Sequence, residues 1–541
     1  MGKLSSFCLS LLLMLVGNAF TQSSKPVIQK GPLMEEGYKN RIFVHKPLGS
    51  INGRYYFIAT SEPNQYMHDI VGFNGGDLLG RLDPNMKTTL KPIRVDTDLE
   101  DLTMAFSLML RDRIYLFVAE ENPGQREYSL YAQEFDPASL SPDGGLERVA
   151  EIGHPAMVRV KRTSFQYRLS PDSSKMLVFA RLSDKDGELA GFAYTVLDPS
   201  FKVLATGESA AGDLPSGAFR IEDYGVNNAG EVFILGSAYT REKEMKKPAY
   251  VQSLNYDGAR VITEPVYDYY LISYAEGSKR TRQNRLSMEN AFIRDLVMAF
   301  RGDTALLAGT YSAPDKSSVI GSCLLMFDSR TASLLKEVQY PFPEDLILFE
   351  WDDKEKKSYY SSKKDGDEFE DYTYDMHPLL MDRNGGFWLI AQQVKYGTKS
   401  VRTGNMVEIL PEYTKDDAYV VRFNPEGEVR WARKLVMQQH LLHVGNNFIS
   451  YYAQAVDDNL AILYQDITPK EANWVGGFKE IPLMLGVYSR EGNFTTHTLA
   501  TNKELEIDPV PRFAGRVDDR SFVVFGQGKN AWRYRFLKVK L

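Results

Sequence analysis

Seven histidines and several paired carboxylates are the residues from which this chain could build a reactive centre. His440 and His443 lie three apart in Gln439-His440-Leu441-Leu442-His443, a spacing that on a helix puts both rings on one side. A zinc-hydrolase helix also needs a Glu next to the first His, and none is present. Both are therefore read as ordinary, partly buried histidines in a strand or connection, and no metal is expected. Gly207-Glu208-Ser209-Ala210-Ala211-Gly212 misses the serine-hydrolase elbow, because its second Gly falls one place late. It reads as a surface turn. No glycine loop precedes a Lys-Ser or Lys-Thr pair, so no phosphate cradle is expected. The carboxylates Asp352-Asp353, Asp365-Gly366-Asp367-Glu368 and Asp416-Asp417 could serve a glycosidase or a calcium ion. Their spacing fits no calcium loop. Lys354, Lys356, Lys357, Lys363 and Lys364 surround the first two groups, so solvated mixed charge is the plainer reading. No catalytic residue and no cofactor is assigned.

The elements that would have to position any such residues are strands. The chain carries 31 Tyr and 29 Phe among many Val, Ile and Thr, a composition that favours sheets. Of its two cysteines, Cys8 falls in the leader described below and Cys323 lies in the apolar run Cys323-Leu324-Leu325-Met326-Phe327. A disulfide within the mature chain is thus excluded, and Cys323 reads as a small buried apolar residue. The formal net charge of -7 is spread without a basic stripe, which argues against a nucleic-acid partner.

Residues 1–21 read as a secretory signal peptide. Lys3 precedes an apolar run over 9–16, and small residues Gly17 and Ala19 stand before the expected cut. That run is too short to span a membrane, and no later stretch is long enough. The protein is expected to cross the inner membrane and to work in the periplasm, at the cell surface or outside the cell.

One unit recurs over residues 22–541. A short apolar strand is followed by a polar loop, a second strand ending in an aromatic residue or Leu, and a turn rich in Asn, Asp, Pro and Gly. The leading strand is found eight times, at 55–60, 113–120, 176–182, 231–237, 304–311, 387–392, 459–464 and 521–526. Turns such as Phe73-Asn74-Gly75-Gly76, Phe135-Asp136-Pro137, Leu197-Asp198-Pro199, Leu254-Asn255-Tyr256-Asp257-Gly258, Phe327-Asp328-Ser329 and Phe423-Asn424-Pro425-Glu426-Gly427 accompany it. Asn and Asp bond their own backbone there, and Gly accepts φ > 0. The expected fold is all-β, a single eight-bladed β-propeller, with a seven-bladed ring as the alternative. The eighth unit ends one strand early, so a strand within 26–48 is expected to complete it and close the ring. The stretch 280–300 is the best helix candidate, capped by Ser287.

The segment Leu169-Ser170-Pro171-Asp172-Ser173-Ser174-Lys175-Met176 resembles the Ser-Pro-Asp-Gly-Lys hairpin of TolB-type, WD40-like propeller repeats. It has Ser173-Ser174 where that family has one Gly. The resemblance implies the fold and carries no functional residue.

Three insertions interrupt the repeat, near 344–377, 398–417 and 468–481. Their aromatics, chiefly Trp351, Tyr359, Tyr360, Tyr372, Trp474 and Phe478, are the expected binding residues. The functional expectation is a secreted or envelope-associated binding or scaffold protein that recognises an envelope protein or a glycan. The alternative is a hydrolase or lyase acting on carbohydrate or peptide at the central channel.

Overall fold

The structure is a computed structural model that describes residues 25–35, 42–61, 77–95, 99, 102–122, 127–153, 165–183, 189–216, 218–239, 267–275, 281–314, 318–365, 373–403, 406–442, 449–467, 480–528 and 533–541. The expected signal peptide lies outside them.

Among the described residues the strands form eight antiparallel sheets arranged as a β-propeller. Sheet one spans 43–92, sheet two 103–153, sheet three 165–210 and sheet four 219–286. Sheet five spans 292–341, sheet six 373–442, sheet seven 451–501 and sheet eight 508–540. Within each sheet, successive strands run from the centre outwards. Sheet eight takes its outermost strands from the other end of the chain. Val27–Lys30 pairs with Arg533–Lys540 in the register Val27↔Lys540, and Met34–Glu35 pairs further along the same strand. The strand expected within 26–48 is therefore present and sits where the short eighth unit needs it.

The core is divided between the sheets. Eight apolar clusters each pack two consecutive sheets, for example Leu177, Phe179, Tyr224 and Ile234 between sheets three and four. The cluster holding Val44, Phe57, Val523 and Phe536 joins sheet eight to sheet one. A ninth, smaller cluster of Ile449, Ile467 and Ile481 packs against Tyr413. Burial on both faces of every sheet explains why the second strands read as unbroken apolar runs such as Val232–Tyr239.

The eight strands found in the sequence are the second strands of the sheets, not the first. The first strands are more polar and irregular. They are Phe43–Ile51, Thr103–Leu110, Phe165–Leu169, Phe219–Val226, Phe292–Arg301, the pair Thr373–Met376 and Leu380–Met381, Tyr451–Val456, and the pair Asp508–Pro509 and Gly515–Asp518. Neighbouring first strands touch from sheet eight through sheet one to sheet seven, and Tyr451–Val456 of sheet seven meets the 3-10 turn Pro511–Phe513 of sheet eight. Four carry a β-bulge at nearly the same level, which leaves His45, Ala105, Glu222 and Arg294 out of register. Bulges re-aim side chains and bend the strand.

Several sequence expectations are corrected. The helix expected over 280–300 is two strands, Thr281–Leu286 and Phe292–Arg301, joined by a turn with Asn290 at φ 52°. Pairing with the neighbouring strands of sheets four and five overrides the helical spacing of Met288, Ala291 and Phe292. The surface turn expected at 207–212 is mostly strand, because Val203–Ala210 is the outer strand of sheet three and Ser209 is buried. Residues 73–76 and 254–258 lie outside the described residues. The matching turn of sheet one is built instead at 83–87, where Asp83 accepts the backbone N–H groups of Asn85 and Lys87.

Candidate functional site

Antiparallel order sorts the connections onto two faces. First-to-second and third-to-fourth strand turns share one face, and these are the tight Asp, Asn and Gly turns of the repeat. Second-to-third connections and the crossings between sheets share the other. The insertion near 344–377 is a crossing from sheet five to sheet six. Those near 398–417 and 468–481 are second-to-third connections of sheets six and seven. The strand ends that carry all three lie on one face, in consecutive sheets, while 366–372, 404–405 and 468–479 lie outside the described residues.

The first insertion is built rather than loose. Helix α1, Glu344–Ile347, buries Leu346 in the core between sheets five and six. Helix α2, Asp353–Asp365, starts at a reciprocal cap. Asp352 Oδ1 accepts from the Glu355 N–H at 2.8 Å, and Glu355 Oε2 accepts from the Asp352 N–H at 2.7 Å. Asp353 and Glu355 in the first turn, with Lys363 and Lys364 in the last, complement the helix dipole. The mixed charge at 352–364 is thus the surface of a capped helix.

One lysine holds this insertion down. Lys434 Nζ donates to the carbonyls of Ile347 at 3.1 Å and Phe349 at 3.4 Å. It pairs with Asp417 at 2.9 Å and lies 5.0 Å from the centre of the Trp351 ring. Trp351 packs edge-on to Tyr359 at 5.9 Å, and Lys363 lies 5.6 Å from the Tyr359 ring centre while pairing with Glu344 at 2.8 Å. Trp351 and Tyr359 are half-buried supports. Tyr360 and Phe349 are exposed. Tyr372, Trp474 and Phe478 lie outside the described residues. The insertion near 398–417 is a long hairpin of Phe387–Thr403 and Met406–Phe423, backed by Gln439–Leu442. On that short strand, His440 Nε2 lies 3.4 Å from Glu412 Oε1 and Nδ1 lies 3.3 Å from Thr414 Oγ1.

A second constellation, absent from the sequence reading, sits at the start of the first strands of sheets four and five. The bulged Glu222 accepts from Ser237 Oγ at 2.6 Å and pairs with Arg220 at 3.2 Å. On the neighbouring strand, the bulged Arg294 has its guanidinium 5.6 Å from the Phe292 ring centre. Its carbonyl accepts the hydroxyls of Tyr267 at 2.9 Å and Tyr269 at 3.3 Å. Asp295 follows it. Burial and the nearby Glu222 charge outweigh Arg294 and Arg220 and push the Asp295 carboxyl up to about 6. A carboxyl near 6 is suited to exchange protons at working pH.

Backbone geometry holds this site. The second strand of sheet five meets the bulge with Gly309, where a Cβ would fall 1.7 Å from the Asp295 carbonyl oxygen. Gly309→Ala is therefore expected to displace the bulge and to cost about 2–3 kcal/mol, read as a lowered denaturant midpoint. An unchanged midpoint would mean that the backbone yields freely there.

Lys46, beside the bulge in sheet one, is a further perturbed group on a first strand. It donates to the Ser107 carbonyl and lies 5.2 Å from the Tyr167 ring centre, and burial brings its ammonium down to about 8. Burial, with Lys46 adjacent, also pushes His45 down to about 4, and Asp77 Oδ1 lies 3.9 Å from its Nε2. Cys323 is buried and its thiol is pushed up to about 12.

A sequence signal for the missed residues exists. In Arg220-Ile221-Glu222-Asp223-Tyr224 and Ile293-Arg294-Asp295-Leu296, two charges stand side by side between apolar residues of a strand. Strict alternation forbids that pattern in a half-buried strand, and a bulge permits it. No group of three or more His, Cys, Asp or Glu among the described residues could hold a metal ion. No helix among them is long and apolar enough to cross a membrane.

No family model matches the chain, and no curated protein matches it. Among solved structures, it is similar to the β-propeller domain of the Trilobed protease from Pyrococcus furiosus. That match has 9% identity and a TM-score of 0.34, covering 85% of this chain and 96% of that one. The WD40 domain of SCAP from fission yeast matches at 10% identity and a TM-score of 0.35, covering 96% of each chain. Polysaccharide lyase Uly1 matches at 9% identity and a TM-score of 0.34, covering 95% of this chain and 99% of that one. By its own strand order and core, the chain is a β-propeller protein.

Proposed function

We propose that this protein is an exported binding propeller that recognises an envelope protein or a glycan through the face carrying its three insertions. The observation that carries the reading is topological: the strand ends that carry the insertions lie on that face in consecutive sheets, and α2 presents Tyr360 beside exposed Phe349 on an anchored helix. Exposed aromatics on a rigid support supply contact area at low entropic cost. The leader-like segment at 1–21 supports export. Deleting the whole of 344–377 would be a poor test, since Leu346 and Tyr374 belong to the core. Replacing 350–372 by a Gly-Ser linker, or making Phe349→Ala with Tyr360→Ala, leaves those residues in place. Either change is expected to reduce capture of native envelope partners at least about tenfold with little change in unfolding midpoint. Undiminished capture by both variants would overturn the reading.

A second reading, a hydrolase or lyase acting on carbohydrate or peptide at the channel, is favoured by Asp295 lying beside Glu222 and two arginines. It requires turnover that Asp295→Asn abolishes.

A further inference from the structure

The guanidinium of Arg294 is the feature that neither reading uses fully. It is half-buried beside Phe292, and no side-chain carboxylate among the described residues pairs with it within ion-pair distance. Arg220, by contrast, is committed to Glu222 at 3.2 Å. The two tyrosine hydroxyls that meet Arg294 bond its backbone carbonyl, so they fix the bulge and leave the fork of donors available. Such a fork matches a carboxylate through two parallel hydrogen bonds.

Next to it runs a wall of rings. Tyr239 and Tyr267 have centroids 5.3 Å apart, and Tyr267 and Phe292 have centroids 5.0 Å apart. All three residues are half-buried. They come from the end of one strand, the start of the next and the start of the neighbouring sheet's first strand, all at the insertion face. An aromatic wall beside a guanidinium suits a flat-faced ring that bears an acid group. The C–H face of a pyranose supplies the first, and a carboxyl at its rim supplies the second.

We propose that Arg294 and the Tyr239–Tyr267–Phe292 wall form a site for a uronic acid residue, with the sugar ring on the aromatics and its carboxylate on the guanidinium. The inference needs binding alone. It stands whether or not the site turns over a substrate, and whether or not the insertions capture a partner.

Asp295 makes the site sensitive to pH. The groups around it are Arg220 and Glu222 on the first strand of sheet four, Tyr267 and Tyr269 on its third strand, Arg294 beside it, and Thr310 and Cys323 on the next strands of sheet five. A ligand carboxylate arriving at Arg294 adds a negative charge next to Asp295 and so favours its protonated form. The ligand's own carboxyl stays ionised well below the Asp295 range. Affinity should therefore rise as pH falls through about 6. If only the protonated form accepts the ligand, the gain between about pH 7.5 and about pH 5.5 is about 25-fold.

The test is titration of the full mature chain with D-glucuronate, followed by calorimetry or ligand-observed NMR. D-glucose, acetate and benzoate serve as comparison ligands. Glucuronate is expected to bind, more tightly at the lower pH and better than each comparison ligand. R294Q is expected to weaken it by about tenfold or more, and D295N to flatten the pH dependence while the protein stays folded by circular dichroism. Equal binding of glucose would overturn the carboxylate contact. Stronger binding of benzoate or acetate would overturn the sugar assignment. Absence of glucuronate binding at about 10 mM, or full affinity in R294Q, would overturn the site itself.

Discussion

Asp382→Ala is expected to lower the unfolding free energy by about 3–5 kcal/mol, the range for removing one member of a buried ion pair. Asp382 is buried to 0% side-chain exposure and pairs with Arg422, whose side chain is 4% exposed. The carboxylate also accepts the backbone N–H groups of Asn384 and Gly386, each at 2.8 Å, and so shapes the turn between the first and second strands of sheet six. Arg422 lies 4.2 Å from the Trp388 ring centre, and Trp388 is fully buried between sheets six and seven. Taking away Asp382 strands a guanidinium there without its counter-charge. Asp382→Asn keeps the bulk and part of the turn bonding but not the charge, so it should fall between wild type and Ala. Pairing Asp382→Ala with Arg422→Met removes both charges and should recover part of the loss. Equilibrium denaturation of wild type, the two Asp382 variants, Arg422→Met alone and the double variant reads this directly. A double variant as unstable as the sum of the singles would show that the pair is not a unit.

The second large effect is expected at Lys434. Its side chain is 0% exposed, and the partner Asp417 is 15% exposed. Burial pushes the Asp417 carboxyl up while Lys434 opposes the shift. Lys434→Met preserves the stem but leaves Asp417 uncompensated and releases the carbonyls of Ile347 and Phe349. We expect a loss of about 3 kcal/mol together with opening of the α1–α2 insertion. Limited proteolysis should then cut within 348–365 while the sheets persist. Cleavage at the wild-type rate would show that Trp351 and Tyr359 hold the insertion without the lysine. The result also bears on recognition, because Phe349 and Tyr360 keep their places only while α2 is anchored.

How much of this was legible in the sequence follows from where each strand sits. The second strands are buried on both faces, so Met176–Ser183 or Thr304–Ser312 reads as an apolar run whatever surrounds it. The turns after the third strands are also local. Asp198, Asp328 and Asn424 bond backbone groups only two to four residues away, and a short window contains the whole motif. The first strands face the centre on one edge, carry charges and bulge, so they lack the alternation that marks a strand. The charged cluster around Arg294 and Asp295 joins two sheets through residues from 220 to 295, and no linear spacing announces it. Trp351 was legible as part of an aromatic insertion but not as a support, because the lysine that claims it lies 83 positions later in the chain. The helix expected over 280–300 failed for the same reason: its periodicity is local, whereas its partners in sheets four and five are distant.

The pairing of Val27 with Lys540 makes the earliest described strand wait for the last. A chain that emerges amino end first therefore carries an unpartnered strand until Arg533–Lys540 has been made, and the pairing joins residues 513 positions apart. Contacts of that kind form late and slowly. The seam is consequently the natural point for unzipping. A circular permutant that links Lys540 to Val27 through a short turn and opens the chain at a tight turn elsewhere would make this pairing an ordinary hairpin, with faster pairing as the expected gain.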